Sequence, residues 1–214
     1  MEKQELKCQM LNPFGPMILS VEMSESHTDG LIKLSNNNDN RKNMDNRLVG
    51  QIKSEPTLTH KELEDTGFRE IFCDIGKSYV AQRSCEYNQK LHNINTSLQS
   101  AWIVSQKENE YNPVHHHTHC QISAVMYLIV PEFNKPRGYK GKNDVDGSIE
   151  FINSTVDGSL LQAGQFLVKP KAGMLLMFPS NLLHTVYPFQ GSEERRCIAF
   201  NLNFNLEKKY LFFI

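Results

Sequence analysis

The sequence lacks most of what marks a membrane, secreted or nucleic-acid-binding chain. Its 214 residues contain no window approaching the roughly 18 uninterrupted apolar positions of a spanning helix. The N-terminus, MEKQELKCQM, has no apolar core of the kind a signal peptide carries. Net charge is −1, so no overall field draws polyanions. One short basic stretch, Lys135, Arg137, Lys140 and Lys142, has no aromatic residues interleaved as a nucleic-acid face would. Cysteine is sparse and scattered, at Cys8, Cys73, Cys85, Cys120 and Cys197. An odd set without paired spacing argues against a disulfide framework and a zinc finger. These absences predict a soluble chain in the reducing cytoplasm, with no membrane or nucleic-acid partner.

What is present divides the chain into two textures within one domain spanning 1–214. Residues 1–96 read as support. A short strand is expected at Met17–Val21 and a helix over 24–35. A polar connection follows from Ser35 to Asn46, and a longer helix over about 60–85 is capped near Thr57–Glu62. Residues 97–207 read as the core. Strands are expected at 98–106, 112–119, 122–130, 148–153, 165–169, 173–178, 183–187 and 195–204, separated by turn-rich segments. Eight short strands with no strong helix between them indicate a mainly β (α+β) fold, a jelly roll or another closed β-architecture, buttressed by the N-terminal helices. The loop at 134–147 is either a lid over a pocket mouth or a solvated hairpin loop. The apolar end, Tyr210–Ile214, is expected to dock on the protein or on a second copy in a homodimer.

Four of the eight histidines fall at positions 115, 116, 117 and 119. In a continuous strand His115, His117 and His119 share one face and His116 takes the other. If the strand runs on, Ser123, Val125 and Tyr127 keep the parity. His184 enters a later β-segment, after the apolar strand Met174–Phe178 and a turn at Pro179–Asn181. An imidazole in that apolar setting needs a polar partner. A metal ion shared with the earlier histidines meets the need, and imidazole suits Zn, Cu, Fe and Ni alike. Farther on, Arg195, Cys197, Ala199 and Asn201 share one strand face, opposite Arg196, Ile198 and Phe200. If the strand is central, one of the two arginines points inward. A guanidinium near a metal implies a carboxylate lying between them.

Together these segments form a motif string. It runs Trp102-Ile-Val104, Glu110-Tyr-Asn-Pro-Val-His-x-His117, Ile122-Ser-Ala-Val-Met-Tyr-Leu128 with Pro131, and Gly147-x-Ile-x-Phe151. It continues with Pro170-x-x-Gly173, Phe178-Pro-Ser180, His184-x-Val-x-Pro188 and Arg195-x-Cys-Ile-Ala-Phe-Asn201. The string, over about 98–203, resembles the Fe(II)/2-oxoglutarate-dependent dioxygenase superfamily, and within it the small phage and bacterial oxygenases. Phe14-Gly-Pro16 and Leu48-Val-Gly50 resemble the same group more loosely. The resemblance implies a double-stranded β-helix and a hydroxylase that uses Fe(II), 2-oxoglutarate and O2 and releases succinate and CO2. It implies metal ligands at His115, His117 and His184. Arg195 falls on the residue that binds the distal carboxylate of 2-oxoglutarate, and Cys197, Ser123 and Tyr127 fall where the co-substrate is contacted.

Two positions depart from the family pattern. His117 stands where a carboxylate ligand is usual, and Cys197 stands for the serine of an Arg-x-Ser pair, a weaker donor. His119 or Glu150 are alternative ligands. Two other functions share the same residues: a cupin-type three-His metalloprotein that does not use 2-oxoglutarate, and a non-catalytic metal-binding module. The substrate class stays open between a peptidyl residue, a free amino acid, a nucleobase and another small molecule.

Overall fold

The computed structural model describes residues 7–11, 15–36, 41–44, 48–86, 93–133, 145–153 and 164–207. Most of the 134–147 loop and the C-terminal 210–214 stretch lie outside them. Two antiparallel sheets carry the fold. The larger is built from β1 (Lys7–Leu11), β2 (Ile18–Glu22), β3 (Thr57–Leu58), β4 (Asn93–Gln106), β6 (Ile122–Ile129), β9 (Met174–Pro179) and β11 (Arg195–Glu207), in the order β1-β2-β9-β6-β11-β4-β3. The smaller is β5 (Asn112–His115), β10 (Leu183–Val186), β7 (Ile149–Ile152) and β8 (Gln165–Val168), in the order β5-β10-β7-β8. This is the expected double-stranded β-helix. No helix among the described residues is long and apolar enough to cross a membrane.

Alternation along the strands makes two cores, one on each side of the larger sheet. Trp102, Val104, Tyr127, Leu176 and Phe178 face the smaller sheet and meet Ile149, Phe151 and Val186 there. Ala101, Ile103, Ala124, Met126, Ile198 and Phe200 face the other way. Helices cover that outer side. They are α1 (Glu25–Asn36), α2 (His60–Asp65) and α3 (Phe68–Glu86). Phe72 of α3 stacks on Phe200 with ring centroids 4.1 Å apart. Gly76 lets α3 approach β11, since a Cβ there would stand 2.5 Å from Leu202 Cδ1.

Several expectations are corrected. The helix over 60–85 is two helices, broken at Gly67, whose φ of 77° no ordinary L-residue adopts cheaply. Thr59 starts the first of them through a capping box with Glu62. The N-terminal half is more than a buttress, because β1, β2 and β3 all join the larger sheet. β4 begins at Asn93 rather than 98 and β11 runs to Glu207 rather than 204; the two pair along their whole length, so ladder hydrogen bonds override a polar stretch of weak strand propensity. The strand expected over 112–119 ends at His115.

Candidate metal centre

β5 and β10 are neighbours in the smaller sheet, and their register sets His115 opposite His184. β7, on the other side of β10, sets Phe151 opposite His184. His117 lies beyond the end of β5, so strand parity does not aim it. Its backbone N–H donates to Ser180 O at 2.8 Å. Ser180 in turn donates its N–H to Gln121 O at 3.0 Å and its hydroxyl to Cys120 O at 2.7 Å. One serine of the β9–β10 turn therefore clips the 116–121 loop in place. Trp102 stacks on the His117 ring at 5.9 Å between centroids.

The outcome is three imidazoles whose donor nitrogens lie within 4.8 Å of one another. Ring centroids are 4.2 Å apart for His115 and His184, 5.2 Å for His117 and His184, and 5.3 Å for His115 and His117. Nδ1 of His115 sits 2.7 Å from Pro113 O, and Nδ1 of His184 sits 2.9 Å from Leu182 O. A carbonyl only accepts, so each Nδ1 carries the proton and each Nε2 keeps a bare lone pair. Burial lowers the pKa of all three. For His117, with His115 beside it, the value falls to about 4. His184 falls well below the usual range, with His115 and His117 adding to burial, and His115 falls with a contribution from His116. Neutral imidazoles converging on one point are the protonation state that a cation requires.

The competing ligands are not brought there. His119 is exposed, and its φ of 61° turns it off the face that an unbroken strand would have given it. His116 is also exposed. Glu150 points to the other side of β7, where its carboxylate accepts from the Tyr187 hydroxyl. Among the described residues no carboxylate joins the three histidines.

Arg195, not Arg196, is the inward arginine. It is 2 % exposed, and its Nη1 donates to Gly147 O at 2.7 Å, while Nε has no hydrogen-bond partner. Arg196 instead pairs with Glu194 at 2.8 Å. The Arg195 guanidinium lies 5.6 Å from the centroid of the Tyr127 ring. Tyr127 is wholly buried and its hydroxyl is unpartnered. Burial raises its pKa, so the phenol stays protonated and can donate. Cys197, also raised by burial, adjoins Arg195. All three line a cavity of about 680 Å³ that the histidine triad also lines. Ser123 does not line it; its hydroxyl donates to Asn201 Oδ1 at 2.9 Å.

Residues 100–201 match the family described as "Putative 2OG-Fe(II) oxygenase". That segment, just under half of the chain, carries the histidine triad and Arg195 and is similar to Fe(II)/2-oxoglutarate oxygenases. Solved structures share the fold of this chain. The epimerase SnoN from nogalamycin biosynthesis, described as non-heme and alpha-ketoglutarate-dependent, aligns with a TM-score of 0.57 at 13% identity, covering 90% of this chain and 77% of that one. HygX from Streptomyces hygroscopicus, solved with nickel, 2-oxoglutarate and hygromycin B bound, gives 0.54 at 10% identity, covering 90% and 84%. A prolyl-4-hydroxylase from Pseudomonas putida gives 0.50 at 14% identity, covering 92% of each chain. A search among curated proteins finds no sequence match. The cofactors of the superfamily are Fe(II), 2-oxoglutarate and O2, and a donor set of three imidazoles, His184 buried and His115 and His117 half-buried, is one that iron accepts.

The site also contains residues that the sequence did not single out. Asn201 was legible as a same-face neighbour of Arg195, and Trp102 as part of the motif string, but neither carried a role. Glu55 and Asn112 line the cavity as well. Glu55 comes from the N-terminal half, and no local pattern in the sequence ties it to the core.

Proposed function

We propose that this chain is an Fe(II)- and 2-oxoglutarate-dependent oxygenase that hydroxylates a C–H bond of a small-molecule or peptidyl substrate, such as a free or peptidyl amino acid, with release of succinate and CO2. His115, His117 and His184 hold the iron in this reading, and Arg195 takes the distal carboxylate of 2-oxoglutarate. The observation that carries it is the pairing of two unsatisfied buried donors, Arg195 Nε and the Tyr127 hydroxyl, in the same cavity as the triad. Buried polar groups are rarely left unpaired unless a ligand completes them. A dicarboxylate reaching from the triad to Arg195 does so.

Bound iron supplies the activation of dioxygen, coupled to oxidative decarboxylation of 2-oxoglutarate. The rest falls to the chain. Proton-bearing Nδ1 atoms fix the two strand-borne imidazoles through Pro113 and Leu182. Trp102 and the main-chain bond to Ser180 orient His117. Gly147 O holds one arm of Arg195, leaving the remainder of the guanidinium for a carboxylate. Tyr127 donates to the same carboxylate, and Cys197 packs beside it. Ile149, Phe178 and Val186 keep the cavity wall apolar, which strengthens each of these charged contacts.

The test is an anaerobic titration of the Fe(II)-loaded protein with 2-oxoglutarate. A visible charge-transfer band and succinate formation on admitting air are expected. Iron binding without the band would favour the second reading, a three-His metalloprotein that does not use 2-oxoglutarate, for which His117 in the place of a carboxylate speaks. Iron content unchanged in His184→Ala would refute the ligand assignment.

A further inference from the structure

Glu55 is the buried acid that this chemistry leaves unused. The chain around it runs along β4: Ser105 N–H donates to Ser54 O, Ile103 N–H donates to Pro56 O, and Thr57 pairs with Trp102. That register turns Glu55 to the same side as Trp102 and Val104, into the cavity. The residue is only 8 % exposed. Among the described residues its carboxylate has no hydrogen bond and no ion pair. The charged group acting on it is Glu110, another carboxylate, which is occupied by the backbone N–H groups of Lys53 and Lys107. Burial and then Glu110 push the Glu55 pKa up to about 7. An acid in that setting is poorly compensated until something positive arrives.

Asn112 borders the same space. A Cβ built on Gly50 would collide with Asn112 Oδ1 and stand 3.5 Å from Glu55 Oε1, so the Asn112 oxygen takes the place a side chain at position 50 would fill, with the Glu55 carboxylate beside it. The Asn112 carboxamide, like the Glu55 carboxylate, makes no hydrogen bond among the described residues. The cavity wall thus offers groups of both kinds. The Arg195 guanidinium is matched to an anion, and the Glu55–Asn112 pair presents oxygen acceptors, one of them a carboxylate.

We propose that Glu55 and Asn112 form a subsite for a cationic group of the substrate, an ammonium or a guanidinium. The inference rests on the oxygenase reading only in calling that ligand a substrate. The group's N–H donors meet both oxygens, and its charge meets the carboxylate. A substrate bearing a basic amine or guanidine would be held by this pair while Arg195 holds the co-substrate.

The molecule contains a single tryptophan, Trp102, which lines this cavity, so its fluorescence reports occupancy. Purified protein without iron or 2-oxoglutarate is titrated with n-butylguanidinium chloride, with n-butanol and sodium butyrate as same-length controls at matched ionic strength. We expect saturation by the cation and at least about tenfold weaker binding of both controls, a difference of roughly 1.4 kcal/mol. Glu55→Gln should weaken the cation by about tenfold or more, as expected for a lost charge-assisted contact, and should retain the Fe(II)–2-oxoglutarate charge-transfer band. Gly50→Ala, whose Cβ would push the Asn112 carboxamide from its place beside Glu55 while both acceptors stay in the chain, should weaken the cation as well. The subsite is overturned if butanol binds as well as butylguanidinium, or if Glu55→Gln leaves the cation affinity unchanged. Loss of the charge-transfer band in Glu55→Gln would move Glu55 into the co-substrate site and overturn it too. Should Glu55→Gln fail to fold, unchanged cation affinity in Gly50→Ala overturns the subsite in its place, and weakened affinity there supports it. Because the cation titration needs neither iron nor 2-oxoglutarate, a wild-type protein with no charge-transfer band sinks the oxygenase reading and leaves this measurement standing.

Discussion

Replacing Tyr127 by phenylalanine separates a structural tyrosine from one that serves a ligand. The side chain is wholly buried, and its hydroxyl finds no partner. Leaving a buried hydroxyl unpaired costs about 1–3 kcal/mol, so its removal should not destabilise the protein free of co-substrate and should stabilise it by about 1 kcal/mol. For a chain of this size that is a rise in Tm of roughly 2–4 °C. With 2-oxoglutarate bound the sign reverses. The hydroxyl then donates to a carboxylate beside Arg195, and losing that bond, worth about 1.5–3 kcal/mol, weakens binding by roughly 10- to 100-fold. The assays are calorimetric melting of the protein without 2-oxoglutarate and titration of the anaerobic charge-transfer band with it. The expected pattern is an unchanged or higher Tm together with a higher Kd. A lower Tm with an unchanged Kd would refute the reasoning, because it would mean that the hydroxyl already has a partner within the fold and none in the co-substrate.

Two further outcomes follow from the triad. In the metal-free protein the folded-state pKa of His117 is about 4, against an ordinary value of 6.5. The unfolded chain therefore takes up protons first, and stability is full above pH 6.5 and falls as pH drops toward 4; the loss is at most about 3 kcal/mol from this residue, and a Tm that stays flat over that window in metal-free protein would contradict the burial argument. His117→Asp restores the carboxylate usual in the family at a position already steered by Ser180, so iron content by elemental analysis should stay near one equivalent, whereas His117→Ala should lose it; equal iron in both would remove His117 from the ligand set.

Strand parity sorted the residues of β6 and β11 into faces, without saying which face turns inward. Tyr127 and Val125 point into the barrel, as do Arg195, Cys197 and Asn201, because a period of two leaves no freedom once both strands are central. Parity could not choose between Arg195 and Arg196; that choice is made by pairing, which sets Arg196 on the outer side with Glu194, Ser35 and Asn36. The same rule fails at the histidines for a physical reason. β5 stops at His115, the chain turns through a left-handed residue at His119, and His117 is aimed by a hydrogen bond to Ser180, in a turn far along the chain. Nothing local in the sequence encodes that contact. Glu55 escaped for a related reason: it reaches the cavity by lying along β4, a long-range pairing that its own neighbourhood of turn-forming residues does not announce.

Ser180 has a consequence for how the centre is assembled. Its three hydrogen bonds tie the loop carrying His117 to the turn that leads into His184, so two residues far apart in sequence share one mechanical mount. Their convergence is established by main-chain geometry before any ion arrives. A centre of this kind differs from a zinc finger, in which the cation must draw its ligands out of a disordered chain and gives up affinity in doing so. Here the entropy of bringing the imidazoles together is charged to folding, and an incoming cation meets a socket already shaped for it.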